Sequence, residues 1–401
     1  MIICDHKKYF SGRLHFMKKR MTALLLTAAM VAGLAACSGS SDTAATEAAP
    51  SAAGSAAEEN GAEAGETADA ESKGESTSGE PLKVALVYSG FLGDQSFNDL
   101  AHAGAMKAVE EYGIELQELE SGEAADWEAN FVAMADAGYD LVIGVSTQFL
   151  DIMERNCPNY PDTKFALIDG VSNAGDNVVS TLFAQNEGSF LAGAAAAMFT
   201  TKTDIEGVNE EKIIGWVGGM DIPVLRDFYA GFEQGAKYID PDIQILQSFG
   251  SSMTDALKGR ELANAQIDQG ADIIMNVANI TGLGVMEACA DRGVYAIGVD
   301  TNQDNLYPGH ILTSMQKNVD ICTFQIIESV VNGTFKGGTA TYMDLAHDGV
   351  GLTDFSVMRE ALGDKFPEDI VEKVDELKEK VVSGEIVVGS YEGYEKPEIS
   401  Q

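Results

Sequence analysis

The chain predicts an α/β fold with mainly parallel sheets, on three observations. Continuous apolar runs of strand length, such as KVALVY (83–88), LVIGV (141–145) and ADIIMNVAN (271–279), suit strands buried on both faces. Helical patterns lie between them, the first being DLAHAGAMKAVEEYG, which ends at Gly113. Strand and helix alternate once through residue 184, then the alternation restarts at residue 212.

Taken in order, KVALVY is followed by the helix to Gly113, by ELQELE (115–120) and by a helical stretch from Trp127 to Ala137. LVIGV is bounded by Tyr139-Asp140 and Ser146, and a helix through Leu150 and Met153 leads to KFALID (164–169) and NVVSTLFA (177–184). EGSFLAGAAAAMFTT (187–201) is apolar nearly all round but shorter than a membrane span, so it predicts a buried helix. Strands KIIGWVGG (212–219), QILQSFG (244–250), ADIIMNVAN, VYAIGVD (294–300) and ILTSMQK (311–317) then alternate with helices at 226–239, 255–270, 282–293 and 318–333. The tail closes with an amphipathic helix over 367–384 and the apolar IVVG (386–389). Two α/β units of about 110–130 residues result, near the usual domain size. They divide near Gln185-Asn186 with short connections, which places a cleft between facing strand ends.

Upstream of Leu82 the chain has a different character. Residues 17–36 run from Lys18, Lys19 and Arg20 through an apolar stretch to small residues, the pattern of a signal peptide (1–36 in all). Residues 1–16 precede the better start at Met17, so a misplaced start codon is expected there. Leu34-Ala35-Ala36-Cys37 resembles the lipobox of bacterial lipoproteins, which implies cleavage before Cys37 and its lipidation. Ser38 to Glu80 carries ten acidic residues and one basic residue without an aromatic or branched aliphatic side chain. Such a stretch cannot bury enough apolar surface to offset its ordering entropy, so residues 37–81 predict a disordered, extended tether.

The formal net charge of −37 argues against nucleic acid or an anionic membrane surface as a partner. Beyond Cys37 only Cys157, Cys289 and Cys322 remain, an odd number without metal-like spacing, so no disulfide framework, metal or cofactor is expected. After the leader there are three histidines, His102, His310 and His347, none in zinc spacing, and neither a G-x-S-x-G elbow nor a P-loop. Asp94, Asp169 and Asp300 are the acids a glycosidase-like alternative would need, but no nucleophile signature accompanies them.

The stretch SGFLGDQSFND (89–99) joins the first strand to the first helix, at the sheet end where open α/β folds bind ligands. Ser96 and Asp99 fit a capping box, which accounts for the helix start but not for Phe97. That ring either packs under the loop or, beside Asn98, offers a flat face and an amide to a planar ligand.

Several segments in order, DQSFN (94–98), ALID (166–169), FAQNEGSFLAG (183–193), GWVGGMDIP (215–223), FYAGFEQG (228–235), TGLGV (281–285), AIGVD (296–300) and LTSMQK (312–317), resemble the basic membrane protein lipoproteins. These are solute-binding components of ABC transporters and include purine-nucleoside receptors. The resemblance covers nearly all of residues 82–390 and implies the two-lobed type I periplasmic-binding-protein fold with three crossovers. It implies a first lobe of 82–185 with 316–338, a second of 186–315 with 339–401, and no enzymatic activity. It further implies a monomer that binds a nucleoside, is anchored outside the membrane and delivers to permease and ATPase subunits. A lipid-anchored sensor is the alternative the soluble sequence leaves open.

By the same resemblance, Phe97 and Phe228 stack on the base, Asn98 and Asp169 face it, and Asp300 and Lys317 hold the ribose hydroxyls. Each position also has a plainer reading: Asp169 before Gly170 as a turn residue, Asp300 as a cap, Lys317 as a solvated charge at a strand end. Two departures bear on the ligand. Tyr88-Ser89 stands where family members commonly carry an acid, and Asn279-Ile280 stands where they often carry Gly-Gly, so Asn279 either intrudes on the cleft or adds an amide contact.

Overall fold

The computed structural model describes residues 80–397. The leader, Cys37 and nearly all of the predicted tether lie outside the described residues.

The first sheet is built from β1 (Lys83–Tyr88), β2 (Glu115–Glu120), β3 (Leu141–Val145), β4 (Lys164–Ile168) and β5 (Val178–Phe183). Helices α1 (Phe97–Tyr112), α2 (Ala124–Asp136) and α3 (Leu150–Asn156) link them. The chain then enters α4 (Gln185–Phe199) and a second alternating run. This comprises β6 (Ile213–Gly218), α5 (Pro223–Ile239), β7 (Gln244–Phe249), α6 (Ala256–Ile267), β8 (Ala271–Val277), α7 (Asn279–Arg292), β9 (Tyr295–Asp300) and β10 (Ile311–Lys317). After β10 come α8 (Val319–Val331), β11 (Thr339–Met343), β12 (Val350–Leu352), α9 (Ser356–Leu362) and α10 (Glu368–Val382).

The strand orders are β11-β5-β4-β3-β1-β2 and β12-β10-β9-β8-β6-β7, parallel throughout except for the β10–β12 pair. Central strands such as β3 and β8 are buried along their whole length, which is why they read as unbroken apolar runs. β2 alternates exposed and half-buried residues and carries three glutamates, as suits an edge strand that must not pair further.

Residues 339–343 pair in parallel with β5, and β10 stays in the second sheet through Lys317. Sheet membership therefore differs from the expected partition, which gave 316–338 to the first lobe and 339–401 to the second. The short, half-polar TATYM covers the open edge of β5, a role its composition does not announce. The chain crosses between the sheets at Ala184, Asn318 and 344–349. IVVG (386–389) belongs to no strand.

Helix α4 is buried on nearly all sides and packs on α5. The contact is close because two motif glycines lie at it. A Cβ on Gly231 would run into the backbone carbonyl of Asn186, and one on Gly235 into that of Phe190. Helix α8, after the second crossing, packs on α1 and so returns to the first lobe.

Candidate functional site

The loops at the carboxyl ends of β1, β3 and β4 face those of β6 to β10 across a cavity of about 400 Å³. All seven residues expected to bind ligand line it: Phe97, Asn98, Asp169, Phe228, Asn279, Asp300 and Lys317. Its size falls in the range of small-molecule sites. Backbone strain concentrates here. Of the nine described non-glycine residues with positive φ, five line the cavity: Ser146, Asp169, Ser251, Asn279 and Asp300. Side chains held in such conformations require support from their surroundings and cluster at binding sites.

Lys317, the last residue of β10, is 1% exposed, so it is not a solvated strand-end charge. Its ammonium bonds Asp169 Oδ1 at 2.7 Å. It also lies 5.0–5.2 Å from the ring centroids of Phe97, Phe183 and Phe228. A buried cation needs this kind of company: a paired carboxylate and aromatic faces. Phe97 and Phe228 thus approach the same ammonium from opposite lobes.

Asp300 ends β9 at φ 66°. Its Oδ2 accepts a hydrogen bond from Ser96 Oγ at 2.5 Å, while Oδ1 has no protein donor among the described residues. Burial pushes its carboxyl up to about 6, with the Lys317 ammonium and the Ser96 hydroxyl pulling the other way.

The expected capping box is replaced by a different arrangement. The Ser96 side chain makes no cap bond, because its hydroxyl is spent on Asp300. Asp94 takes over, accepting the N–H groups of Ser96, Asn98 and Asp99 at 3.0, 3.0 and 3.2 Å. Asp99 folds back onto Gly93 N and Gln95 N.

Asn279 donates its amide to Asp94 Oδ2 at 2.6 Å, linking the lobes. Of the second departure, Ile280 also lines the cavity. Tyr88 is fully buried and donates to Glu118 of β2, so only Ser89 of the first departure reaches the site. Sequence reasoning did not single out Phe91, Trp127, Met253 or Gln148 as lining residues, and no spacing signal marks them.

The acids give a pH dependence. Burial raises Asp227 to about 7 and Asp272 and Asp300 to about 6, from an ordinary 3.8. The folded state therefore binds these protons more tightly than the unfolded chain. The stability they contribute is fully present below 3.8 and is lost as pH rises through 6 to 7. Acids held below their ordinary range, such as Glu128, Asp240, Asp354, Glu368 and Glu376, are already ionised in both states above pH 5. The thermal midpoint of the ligand-free protein should fall between pH 5 and pH 8; a flat or rising profile contradicts this account.

A family model described as "ABC transporter substrate-binding protein PnrA-like" matches residues 82–392. The chain belongs to this family. Among its relatives is the CD4+ T-cell-stimulating antigen of Listeria innocua, 32% identical over 346 residues, covering 81% of this chain and 92% of the relative. Basic membrane protein A2 of Borrelia garinii is 32% identical over 334 residues, with 81% and 93% covered. An uncharacterized lipoprotein of Pyrococcus furiosus is 32% identical over 335 residues, with 78% and 82% covered.

A solved ABC-transporter solute-binding protein of Aeropyrum pernix superposes with a TM-score of 0.71 at 30% identity, covering 77% of this chain and 94% of that one. A solute-binding protein from Conexibacter woesei, at 24% identity and a TM-score of 0.60, shares the fold, covering 78% of this chain and all of that one. The family is one of solute-binding proteins, not enzymes. Among the described residues no helix is long and apolar enough to cross a membrane.

Proposed function

We propose that this protein captures a nucleoside, a purine nucleoside foremost, and hands it to a membrane permease. The observation that carries the reading is the cavity's inventory: phenylalanines from both lobes, four carboxylates and a single cation already paired. No arginine lines it, so a phosphate finds no bidentate partner, whereas an uncharged ligand with a flat base and hydroxyls finds both kinds of contact. Phe97 and Phe228 stack on the base, with Asn98 and Asp169 at its edge. Asp300 Oδ1 and Lys317 receive the sugar hydroxyls. Asn279 acts through Asp94 as well as lining the wall.

Calorimetry with inosine, hypoxanthine and ribose tests this assignment. Phe97→Ala should weaken inosine and hypoxanthine alike, by about 1–3 kcal/mol, roughly tenfold to more than hundredfold. Asp300→Ala should weaken inosine far more than hypoxanthine, since only the hydroxyl partner is lost. Tightest binding to ribose or to an amino acid, with Phe97→Ala silent, would sink the nucleoside assignment.

The same proposal places the protein on the outer face of the cell membrane, held by lipid on Cys37. Its support is the LAAC sequence and the lipoprotein name of the Pyrococcus relative. Several acyl chains hold a protein stably where one holds it marginally. Cys37→Ala should therefore move the protein from washed membranes to the soluble fraction, and its retention in the membranes would count against the anchor.

A further inference from the structure

Besides the three crossings between the sheets, a fourth stretch of chain touches both lobes. After α10 the backbone has no regular structure, yet it is held at nearly every step. Gly389 exchanges two 2.8 Å hydrogen bonds with the Gln234 amide of α5. Asn186 Nδ2 donates to Val388 O and Ser390 Oγ, both at 3.1 Å, and Tyr391 N–H donates to Asp227 Oδ1 at 2.6 Å. These anchors belong to the second lobe. Three residues further on, the buried Tyr394 donates to Thr147 Oγ1 of the first lobe at 3.2 Å. Lys396 then pairs with Asp344 Oδ2 at 3.1 Å and lies over the ring of Tyr342 in β11.

We propose that residues 388–396 are a strap across the hinge that resists opening of the cleft and positions Phe228. Two facts carry this. The first is reach: Tyr394 lies three positions beyond Tyr391, so their Cα atoms can stand no more than roughly 11 Å apart. A hinge motion that carries Asp227 from Thr147 farther than this span plus the length of the Tyr394 side chain must break one anchor. The second is placement, since both anchors abut the cavity wall. Thr147 lies between the lining residues Ser146 and Gln148, and Asp227 precedes the lining residue Phe228. Asp227 is fully buried, and its second oxygen accepts from Gln185 Nε2 at 2.7 Å, one residue past the first crossing. One carboxylate therefore ties together the crossing, the helix that carries Phe228 and the strap.

The test uses full-length variants. Tyr394→Phe combined with Lys396→Met removes two polar ties to the first-lobe side and leaves the ring and the aliphatic stem in place. Small-angle scattering of the ligand-free variant should show a larger radius of gyration than the wild type, and inosine should dissociate about five- to tenfold faster, the equivalent of about one lost hydrogen bond. Thr147→Ala cuts the tyrosine tie from the other side and should move both readouts in the same direction, which covers failure of the double variant to fold. For positioning, Asp227→Ala should weaken inosine binding, whereas Asp227→Asn should restore it, because an amide still accepts from Tyr391 and can donate to Gln185 Oε1, which has no partner among the described residues. The inosine arm rests on the nucleoside assignment; scattering without ligand does not, so the two can fail separately. An unchanged radius of gyration in both the double variant and Thr147→Ala, or Asp227→Asn as weak as Asp227→Ala, overturns the strap.

Discussion

Lys317→Met is expected to destabilise the protein by about 3–5 kcal/mol and to abolish ligand capture. The size follows from what the substitution leaves behind. Asp169 is 5% exposed and takes its one side-chain donor from the Lys317 ammonium. Removing one partner of a buried pair strands the other charge in a poorly solvating place, which costs far more than the pair itself contributes. Asp300, held partly in check by the same ammonium, would move further up in pKa, and three ring faces would lose their cation. Urea denaturation measures the loss. Adding Asp169→Asn to Lys317→Met removes the stranded charge, so most of the stability should return while binding does not. A single variant that loses less than about 1 kcal/mol would mean that Asp169 is solvated after all.

The reason the single variant and the rescued double variant differ also explains what the sequence could reveal. Lys317 and Asp169 are 148 positions apart, and their pairing depends on β10 and β4 ending on opposite sides of one cleft. The strands were legible because burial on both faces forces unbroken apolar runs, as in LVIGV and ADIIMNV. The strand-end positions of Asp169, Asp300 and Lys317 followed directly from those runs. Partners across the cleft were not legible, since no local pattern encodes a contact between residues 96 and 300 or between 94 and 279. The capping box failed for that reason: the Ser96 hydroxyl met a distant carboxylate instead of its own helix. Short elements such as β11, β12 and α9 carry too few residues for a period to emerge. The strap has no period at all, being held by side chains of α4 and α5.

Asp94→Ala is the second substitution expected to have a large effect, about 2–4 kcal/mol. Asp94 is fully buried, and its two oxygens accept four hydrogen bonds, three from backbone N–H groups at the start of α1 and one from Asn279. Alanine would leave several buried donors unmet, each costing roughly 1–3 kcal/mol where water cannot reach it. Burial itself raises the Asp94 carboxyl, so part of the gain from those donors is offset by desolvation, which keeps the estimate below their sum. Asn279→Gly isolates the contribution of the lobe link: glycine accepts the φ of 47° at that position, so only the amide is lost. It should cost about 1 kcal/mol, the net value of one hydrogen bond, and leave the start of α1 intact. Asp94→Asn should fall between the two, since its carbonyl still accepts backbone N–H groups while its amide opposes that of Asn279. Denaturation of the three variants decides the matter. If Asp94→Ala cost no more than Asn279→Gly, the acid would serve only to join the lobes, and the cap at α1 would lie elsewhere.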